Sequence, residues 1–260
     1  VASFWSRSGL ARLTAPKGSE LFPIRTAAGD HTTSIAAVAA INAALIQALK
    51  TGKGQLVDVS LLRTGLYTIH TDLAIQLFFG RNASTRPRAE AYNPLTNFFR
   101  TKDDAWICIV ARAGKSDLPR MARAFELPGI EDDSRFQDGK SRRDHAVEIT
   151  AMFDAAFAKF TKEEMAARLT AEEIAWAPAQ TLADVAVDPQ VHAAGGIVDM
   201  PGKDGVGTFK SPGGPARFHG VDDGPKGPGP KLGEHTREIL KSIGYSDVDV
   251  EAMYAGKSVA

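Results

Sequence analysis

Residues 51–65, TGKGQLVDVSLLRTG, decide how the first part of the chain folds. Two glycines and a lysine suggest a phosphate loop, but such a loop follows a strand and precedes a helix. Here the order is reversed, because a helical pattern precedes the glycines and a β-branched run follows them. We therefore predict structural roles for both glycines, with Gly52 as a helix C-cap and Gly54 in a turn. A phosphate loop is the alternative.

The segments on either side of these glycines predict a helix, a strand and a second helix. Residues 30–50 carry apolar side chains at helical spacing, with Asp30 as the predicted N-cap. Residues 55–59 are β-branched and predict a short strand, and Ser60 is the predicted cap of a helix that reaches about Phe79. This alternation is typical of an α/β layer with a largely parallel sheet.

After Phe79 the pattern changes. Arginines and prolines in residues 80–94 indicate a long loop. Strands are predicted at 96–101, 105–111 and 176–180, and helices at 118–125, 142–160, 162–169, 234–243 and after Ser246. The stretch beyond residue 201 is rich in glycine and proline, which indicates an extended connector.

The composition is that of an ordinary globular protein. The 260 residues are 43% hydrophobic and carry 31 basic and 31 acidic side chains, which gives no electrostatic footprint for nucleic acid. Because the sequence has a single cysteine, Cys108, it excludes an intrachain disulfide, which fits a reducing compartment. Cys108 lies in an apolar run and is predicted to be a buried small hydrophobic residue. We also expect no apolar stretch near the ~20 residues that span a bilayer, and no signal peptide. These features predict a cytoplasmic protein without nucleic-acid or membrane partners.

The titratable residues form no recognisable catalytic or metal motif. The six histidines have no metal-ligand or triad spacing, so we predict no metal site. His31 beside Asp30 is a candidate general base, although a capping role accounts for Asp30. Asp58 lies inside the predicted strand, and its role stays open.

Six segments, taken in order, resemble the class III coenzyme A transferases, the CaiB/BaiF family. They are residues 4–9 (FWSRSG), 29–31 (GDH), 51–62 (TGKGQLVDVSLL), 160–164 (FTKEE), 184–190 (DVAVDPQ) and 232–240 (LGEHTREIL). The resemblance extends over the whole chain and corresponds to the C-terminal two-thirds of a family member. It implies an α/β fold, with a Rossmann-like large domain, a smaller α+β domain and an interlocked homodimer.

This resemblance assigns parts of the chain to domains. Residues 1–80 would be a portion of the large domain, 81–93 a linker and 94–200 the small domain. Residues 201–260 would be a connector with helices that return to the large domain.

The resemblance also implies the chemistry. Family transferases use an aspartate that attacks an acyl-CoA thioester to give a mixed anhydride, with a small carboxylic acid as acceptor and no permanently bound cofactor. That aspartate precedes the FWSRSG segment, so we expect it just before Val1, in an upstream segment that holds most of the CoA-binding half. No catalytic residue is then expected within the chain itself. Phe4 and Trp5 are candidates for packing beneath the nucleophile, and Trp5 is a candidate pocket residue. The alternative is that both are plain core aromatics.

In the family, the loop over residues 81–97 corresponds to a segment that covers the acyl site, in some members as a glycine-rich lid. This chain has no glycine run there. It has instead polar and aromatic side chains suited to holding a carboxylic acid, partly through bidentate arginine contacts: Arg81, Arg86, Arg88, Tyr92 and Asn93. An exposed basic linker is the alternative.

Three functions stay open from the sequence. The first is an acyl-CoA:carboxylate CoA transferase, which the FWSRSG segment favours. The second is an α-methylacyl-CoA racemase of the same fold, which moves protons with histidine and carboxylates. The third is a non-catalytic fragment or assembly subunit. We also expect the chain expressed alone to aggregate, because a half-layer leaves apolar faces of residues 30–50 and 55–59 uncovered.

Overall fold

The computed structural model describes residues 1–82, 84–111, 117–222 and 224–260, and of Asp204 only the backbone. Ala83, inside the predicted loop, lies outside the described residues. Contacts divide the chain into two compact units, Val1–Ala179 and Gln180–Ala260. The domain boundaries predicted from the sequence, at residues 80, 93 and 200, stay a prediction.

The first unit begins with helical segments. A π-helical turn, Ala2–Arg7, is followed by α1 (Leu10–Thr14) and then by α2 (Ala28–Thr51). The predicted N-cap of α2 at Asp30 is wrong, because the cap is Ala27 and Asp30 lies in the first helical turn. An acidic residue there is favoured by the helix dipole and gives a similar sequence signal. Gly52 ends α2 in the left-handed conformation, with φ 71°.

The predicted strand at residues 55–59 is not formed. In the described part of the chain no other strand pairs with this segment, and Leu56 is 95% exposed. A strand needs a hydrogen-bonded neighbour, which local sequence preference cannot supply. The sheet pairs of the described residues are all antiparallel, so the predicted parallel layer is absent from them.

The predicted helix after Ser60 is present but divided. Ser60 caps α3 (Leu61–Thr68), its Oγ accepting a hydrogen bond from the Arg63 amide at 3.2 Å. The chain then leaves helical geometry at Ile69 and continues as α4 (His70–Phe79), which ends at Gly80. Thr68 donates its hydroxyl to the carbonyl of Thr64 at 2.9 Å. Such back-bonding often bends helices and fits the break at the next residue.

A three-stranded sheet follows. The strands β1 (Thr96–Arg100), β2 (Trp106–Val110) and β3 (Ala175–Pro178) pair in the order β1-β2-β3. The predicted hairpin is confirmed by the antiparallel register of β1 with β2. Cys108 is half-buried on β2, and this burial raises the pKa of its thiol. The thiol is therefore less readily ionised than an exposed one.

The principal core lies on one face of this sheet. It is covered by α5 (Leu118–Phe125), α7 (Ala146–Phe157) and α8 (Lys162–Ala171), and α6 (Gly139–Asp144) packs against α7. Four fully buried phenylalanines pack with ring centroids 4.9–5.6 Å apart: Phe99, Phe125, Phe153 and Phe157. The predicted helix at 118–125 is confirmed over its whole length, whereas the one predicted at 142–160 is divided at His145.

The second unit consists of short elements. They are α9 (Leu182–Val187), α10 (Pro189–Ala193), β4 (Ile197–Pro201), β5 (Thr208–Pro212), α11 (Thr236–Ser242) and α12 (Asp247–Ala255). The sequence predicted no strands here, yet β4 and β5 form an antiparallel ladder. The predicted connector beyond residue 201 therefore contains β5. Each of the two strands ends in a proline, at a position where a missing amide donor is tolerated.

One helix passes the length and composition test for a membrane span. It is α2, with a mean hydropathy of 1.6 in its most apolar window. The expectation that no apolar stretch reaches this length is therefore wrong, although length and composition alone are weak evidence for a membrane. Only Ala44 of this helix is buried, while Ile41 and Leu49 are 55% and 78% exposed. The chain thus leaves an apolar helix face uncovered.

Candidate functional site

A cavity of about 720 Å³ opens beside the N-terminal helical segments. Its walls are residues 8–18, the start of α4 and the loop after Gly80. A second cavity of about 390 Å³ has Leu13, Asp72, Ser84 and Thr85 in common with it and extends to Arg86 and Tyr92. We call the two together the N-terminal cleft. Each of the two cavities falls in the range of roughly 300–1,000 Å³ that is usual for small-molecule sites.

The loop that forms one wall of the cleft is held at two points. Thr85 donates its hydroxyl to the Leu13 carbonyl, and its own carbonyl accepts a hydrogen bond from the Lys17 amide at 3.0 Å. Earlier in the loop, the Asn82 side-chain amide donates to the carbonyl and the carboxylate of Asp72, at 3.2 and 3.1 Å. These contacts fix the loop against α1 and α4, so the cleft has defined walls.

The charges around the cleft are unequal. Three cations line it, Arg12, Lys17 and Arg86, against the single carboxylate of Asp72. Among the residues described by the structure, no acidic side chain forms an ion pair with any of these three cations. The cleft therefore favours an anionic ligand.

The structure separates the five residues predicted in the loop over residues 81–97. Arg86 and Tyr92 both line the cleft, and the Arg86 guanidinium carbon lies 4.3 Å from the centroid of the Tyr92 ring. Arg81 is exposed and does not line the cleft. Asn93 orders the start of β1, because its side chain accepts from the Leu95 amide at 3.3 Å and donates to the Thr96 hydroxyl at 3.2 Å.

Arg88 is held outside the cleft. Its two terminal nitrogens bind the Asp154 carboxylate at 3.0 and 2.7 Å, and one of them also donates to the Phe98 carbonyl at 3.0 Å. The fork geometry of the guanidinium is thus already satisfied within the protein. Arg88 fastens the loop to α7 and is not available to a ligand.

The FWSRSG segment forms a small separate core. Phe4 and Trp5 are buried, and the Trp5 indole N–H donates to the Phe22 carbonyl at 2.9 Å. Trp5 does not line the cleft. A Cβ atom at Gly29 would lie 2.7 Å from Phe4 Cγ, and one at Gly65 would lie 2.7 Å from the Phe4 carbonyl oxygen. The N-terminal turn is thus wedged between two glycines, and its end at Ser8 and Gly9 borders the cleft.

The remaining sequence candidates lie elsewhere. Asp30, His31 and Asp58 are exposed and do not line the cleft. A Cβ atom at Gly52 or at Gly54 would meet no atom within 4 Å. Glycine is favoured at residue 52 because the backbone there has a positive φ. Within the described residues, no group of three or more histidine, cysteine or acidic side chains is placed to hold a metal ion.

Three residues of the cleft carried no signal in the sequence analysis: Arg12, Lys17 and Asp72. They come from α1, from the turn after it and from α4. Their separation of about sixty positions leaves no periodicity or motif to link them. The one local feature of the sequence is that two cations, Arg12 and Lys17, lie on either side of Pro16.

Comparison with known proteins gives the family. The family model for CoA-transferase family III matches residues 2–236. A (R)-2-hydroxy-4-methylpentanoate CoA-transferase of Clostridioides difficile is 27% identical over 99% of this chain and 64% of its own length. A 2-methylfumaryl-CoA isomerase of Chloroflexus aurantiacus is 29% identical over 78% of this chain and 52% of its own length.

A solved structure shows the same fold. It is a CaiB/BaiF family protein from Brucella suis, with a TM-score of 0.77 and 24% identity over 92% of this chain and 61% of that one. The chain therefore spans between half and two-thirds of the length of these proteins. Since the family model matches most of its residues, the chain belongs to CoA-transferase family III.

Proposed function

We propose that the complete protein is an acyl-CoA:carboxylate CoA transferase. The observation that carries this proposal is the position of the FWSRSG segment, whose Phe4, Trp5 and Ser8 are buried. The segment is wedged between two glycines and lies next to a cationic cleft of ligand size. Membership of CoA-transferase family III supports the same reaction. The substrates are an acyl-CoA thioester and a small carboxylic acid.

The proposed reaction exchanges CoA between two carboxylates. An aspartate in the position before Val1 attacks the thioester carbonyl, and the bond to sulfur breaks to release CoA thiolate and leave a mixed anhydride. The thiolate then attacks the aspartyl carbonyl, which releases the donor acid and leaves an enzyme thioester. The acceptor carboxylate repeats these two steps in reverse, so that the aspartate is regenerated. No oxidant or reductant is needed.

The residues of this chain hold and orient the acid. The loop wall of the cleft supports a role in acid selection, because it presents Arg86 on the Tyr92 ring and is fastened by Arg88. An exposed loop carried on a fixed scaffold is a common place for specificity. The buried N-terminal turn would hold the nucleophile at a constant distance from the cleft.

Further parts of the proposal concern the whole molecule. An upstream segment would complete a Rossmann-like large domain, and two copies would form the interlocked homodimer that the resemblance implies. The exposed apolar side chains of α2 support burial against further protein. The absence of an intrachain disulfide is consistent with a cytoplasmic location.

The experiment uses the full-length protein with an acyl-CoA donor and a panel of carboxylic acids. We expect transfer of CoA that depends on the added acid, and chromatography of the thioesters measures it. Hydroxylamine added with the donor alone should modify one aspartate in the peptide that precedes the FWSRSG segment. Transfer without such a modification would contradict the proposed nucleophile.

The isomerase relative favours a second candidate, an acyl-CoA racemase or isomerase. It predicts incorporation of solvent deuterium at the α-carbon of the acyl group with no acid present. Deuterium exchange without acid-dependent transfer would replace the first proposal by this one. Failure of both assays, with the protein folded and dimeric, would favour an assembly subunit.

A further inference from the structure

The second unit contains a cavity of about 590 Å³ between α10 and the β4-β5 ladder. Its walls include His192 of α10, the start of β4 and the turn that follows β5, residues 213–217. We call it the ladder cavity. Its volume lies in the range of roughly 300–1,000 Å³ that is usual for small-molecule sites. None of the residues used in the proposed reaction lines it.

The walls of the ladder cavity are fixed by backbone contacts. The Gly213 amide donates to the Gly196 carbonyl, and the Gly196 amide donates to the Val191 carbonyl, both at 2.9 Å. A Cβ atom at Gly213 would overlap the Gly195 carbonyl oxygen, so the turn after β5 lies directly on the segment after α10. Arg217 packs on the same segment, since a Cβ atom at Gly195 would lie 3.8 Å from its Cδ. The two segments therefore hold each other in place.

The ladder cavity offers hydrogen-bond donors that no carboxylate neutralises. Arg217 lines it, and among the described residues no acidic side chain pairs with its guanidinium. The amides of Gly214 and Ala216 in the same turn donate to no backbone carbonyl in the described part of the chain. Asp222, the acidic residue nearest to Arg217 in sequence, pairs with Lys226. The cavity therefore favours an anion.

His192 adds a group that can share a proton with the ligand. Its Nε2 lies 2.9 Å from the Ala186 carbonyl oxygen, and because a carbonyl only accepts, Nε2 carries the proton of this contact. Nδ1 is then left for the ligand, to which it donates when the ring is protonated and from which it accepts when the ring is neutral. Asp188 of the same turn is bound by Gln180 and by the Gln190 amide, and it does not line the cavity.

We propose that the ladder cavity binds a phosphate monoester, with Arg217 and His192 on the phosphate group. A carboxylate has two oxygens and is satisfied by one guanidinium. A phosphate monoester has three free oxygens, which match a guanidinium, an imidazole and the amides of one turn. It also gains or loses a proton in the pH range where imidazoles titrate. The remaining volume, beside Ile197 and Val198, takes the organic part of the ester.

The test is calorimetric titration of the full-length protein with inorganic phosphate, sulfate and acetate at neutral pH. We expect phosphate to bind most tightly, because sulfate brings no proton to share with His192 and acetate has too few oxygens. Arg217→Gln should weaken phosphate binding at least tenfold, since hydrogen bonds to a charged group are lost. The matched control is Lys210→Gln, which removes a cation of β5 that pairs with Asp199 and does not line the cavity. It should change the affinity less than twofold.

A second variant, His192→Gln, tests the group that shares the proton. The glutamine amide can still donate to the Ala186 carbonyl, whereas nothing replaces Nδ1. Phosphate binding should weaken, and its preference over sulfate should disappear. Thermal unfolding without phosphate should be the same in both variants as in the parent, because both altered side chains are exposed.

The phosphate monoester has two sources, a free metabolite and the 3′-phosphate of CoA. Competition distinguishes them. If CoA displaces phosphate and dephospho-CoA does not, the cavity holds the 3′-phosphate of CoA. If neither competes, the ligand is a free phosphate ester. Displacement by both would place the diphosphate of CoA in the cavity and overturn the monoester assignment.

Three further results would overturn the inference, and none of them depends on whether the protein transfers CoA. Equal binding of phosphate and sulfate by the parent would remove the assignment to phosphate. An equal loss in Arg217→Gln and Lys210→Gln would reduce the effect to general charge attraction. A parent protein that phosphate does not saturate at millimolar concentration would have no phosphate site in this cavity.

Discussion

A single methyl group at Gly65 should displace the turn that carries the FWSRSG segment. Gly65 is buried in α3, and a Cβ atom there would lie 2.7 Å from the Phe4 carbonyl oxygen, 2.8 Å from Ser8 Cβ and 2.9 Å from Ser8 Oγ. The Phe4 oxygen belongs to the backbone and already accepts the Ser8 hydroxyl. It cannot move without carrying the N-terminal turn with it.

The expected cost combines two opposed effects. Overpacking of a tight contact costs about 1–3 kcal/mol, whereas alanine in place of glycine inside a helix gains up to about 1 kcal/mol. We therefore expect Gly65→Ala to lower the free energy of unfolding by roughly 1–2 kcal/mol. Gly139→Ala in α6 is the control, because its Cβ would meet only Arg142 Nη2 at 3.7 Å. The control should be neutral or more stable by about 0.4–1 kcal/mol.

Urea unfolding followed by circular dichroism measures both variants. In the proposed transferase, Gly65→Ala should also lower the activity of the full-length protein, because the displaced turn ends at Ser8 and Gly9, which border the cleft. If Gly65→Ala were as stable as the parent while Gly139→Ala behaved as expected, the close approach of α3 to the N-terminal turn would be refuted.

Three further changes test other features. Gly52→Ala should lower the free energy of unfolding by about 1 kcal/mol, because alanine must adopt the φ of 71° that ends α2. An unchanged midpoint of urea unfolding would contradict this cap. Arg88→Gln should lower the free energy of unfolding by no more than about 1 kcal/mol, since both side chains of its pair with Asp154 are about a third exposed. A double-mutant cycle with Asp154→Asn that shows no coupling would contradict the contact. The Arg135 guanidinium lowers the pKa of Asp133, so this pair stabilises the fold above the ordinary aspartate pKa and the stabilisation is lost as the pH falls through the lowered value. Unfolding titrations should therefore show a steeper loss of stability below about pH 4 in the parent than in Asp133→Asn, and parallel curves would contradict it.

Local features of the fold could be read from the sequence. Ser60 as a helix cap, Gly52 as a helix end and the β1-β2 hairpin all depend on residues within a few positions of one another. Such signals operate through the backbone hydrogen bonds of one turn. They were therefore available without knowledge of any distant contact.

Features that depend on distant partners could not be read in this way. The strand predicted at 55–59 has the right composition but lacks a neighbour in the described chain. The strands β4 and β5, each of which ends in a proline, form a ladder because each has the other as a neighbour. In the cleft, Arg86 and Tyr92 were identified through the family resemblance. Nothing in the sequence distinguishes them from Arg88, because only the fold brings Asp154 beside Arg88.

The contact between Arg88 and Asp154 has a consequence for the entropy of ligand binding. Because Arg88 is fastened to α7, much of the conformational freedom of the adjoining loop is already lost when the protein folds. A ligand that pairs with Arg86 then meets an ordered partner and does not bear the full cost of immobilising it. In the proposed transferase, changes in α7, far from the cleft in sequence, would therefore alter the affinity for the acid without altering any contact that the acid makes.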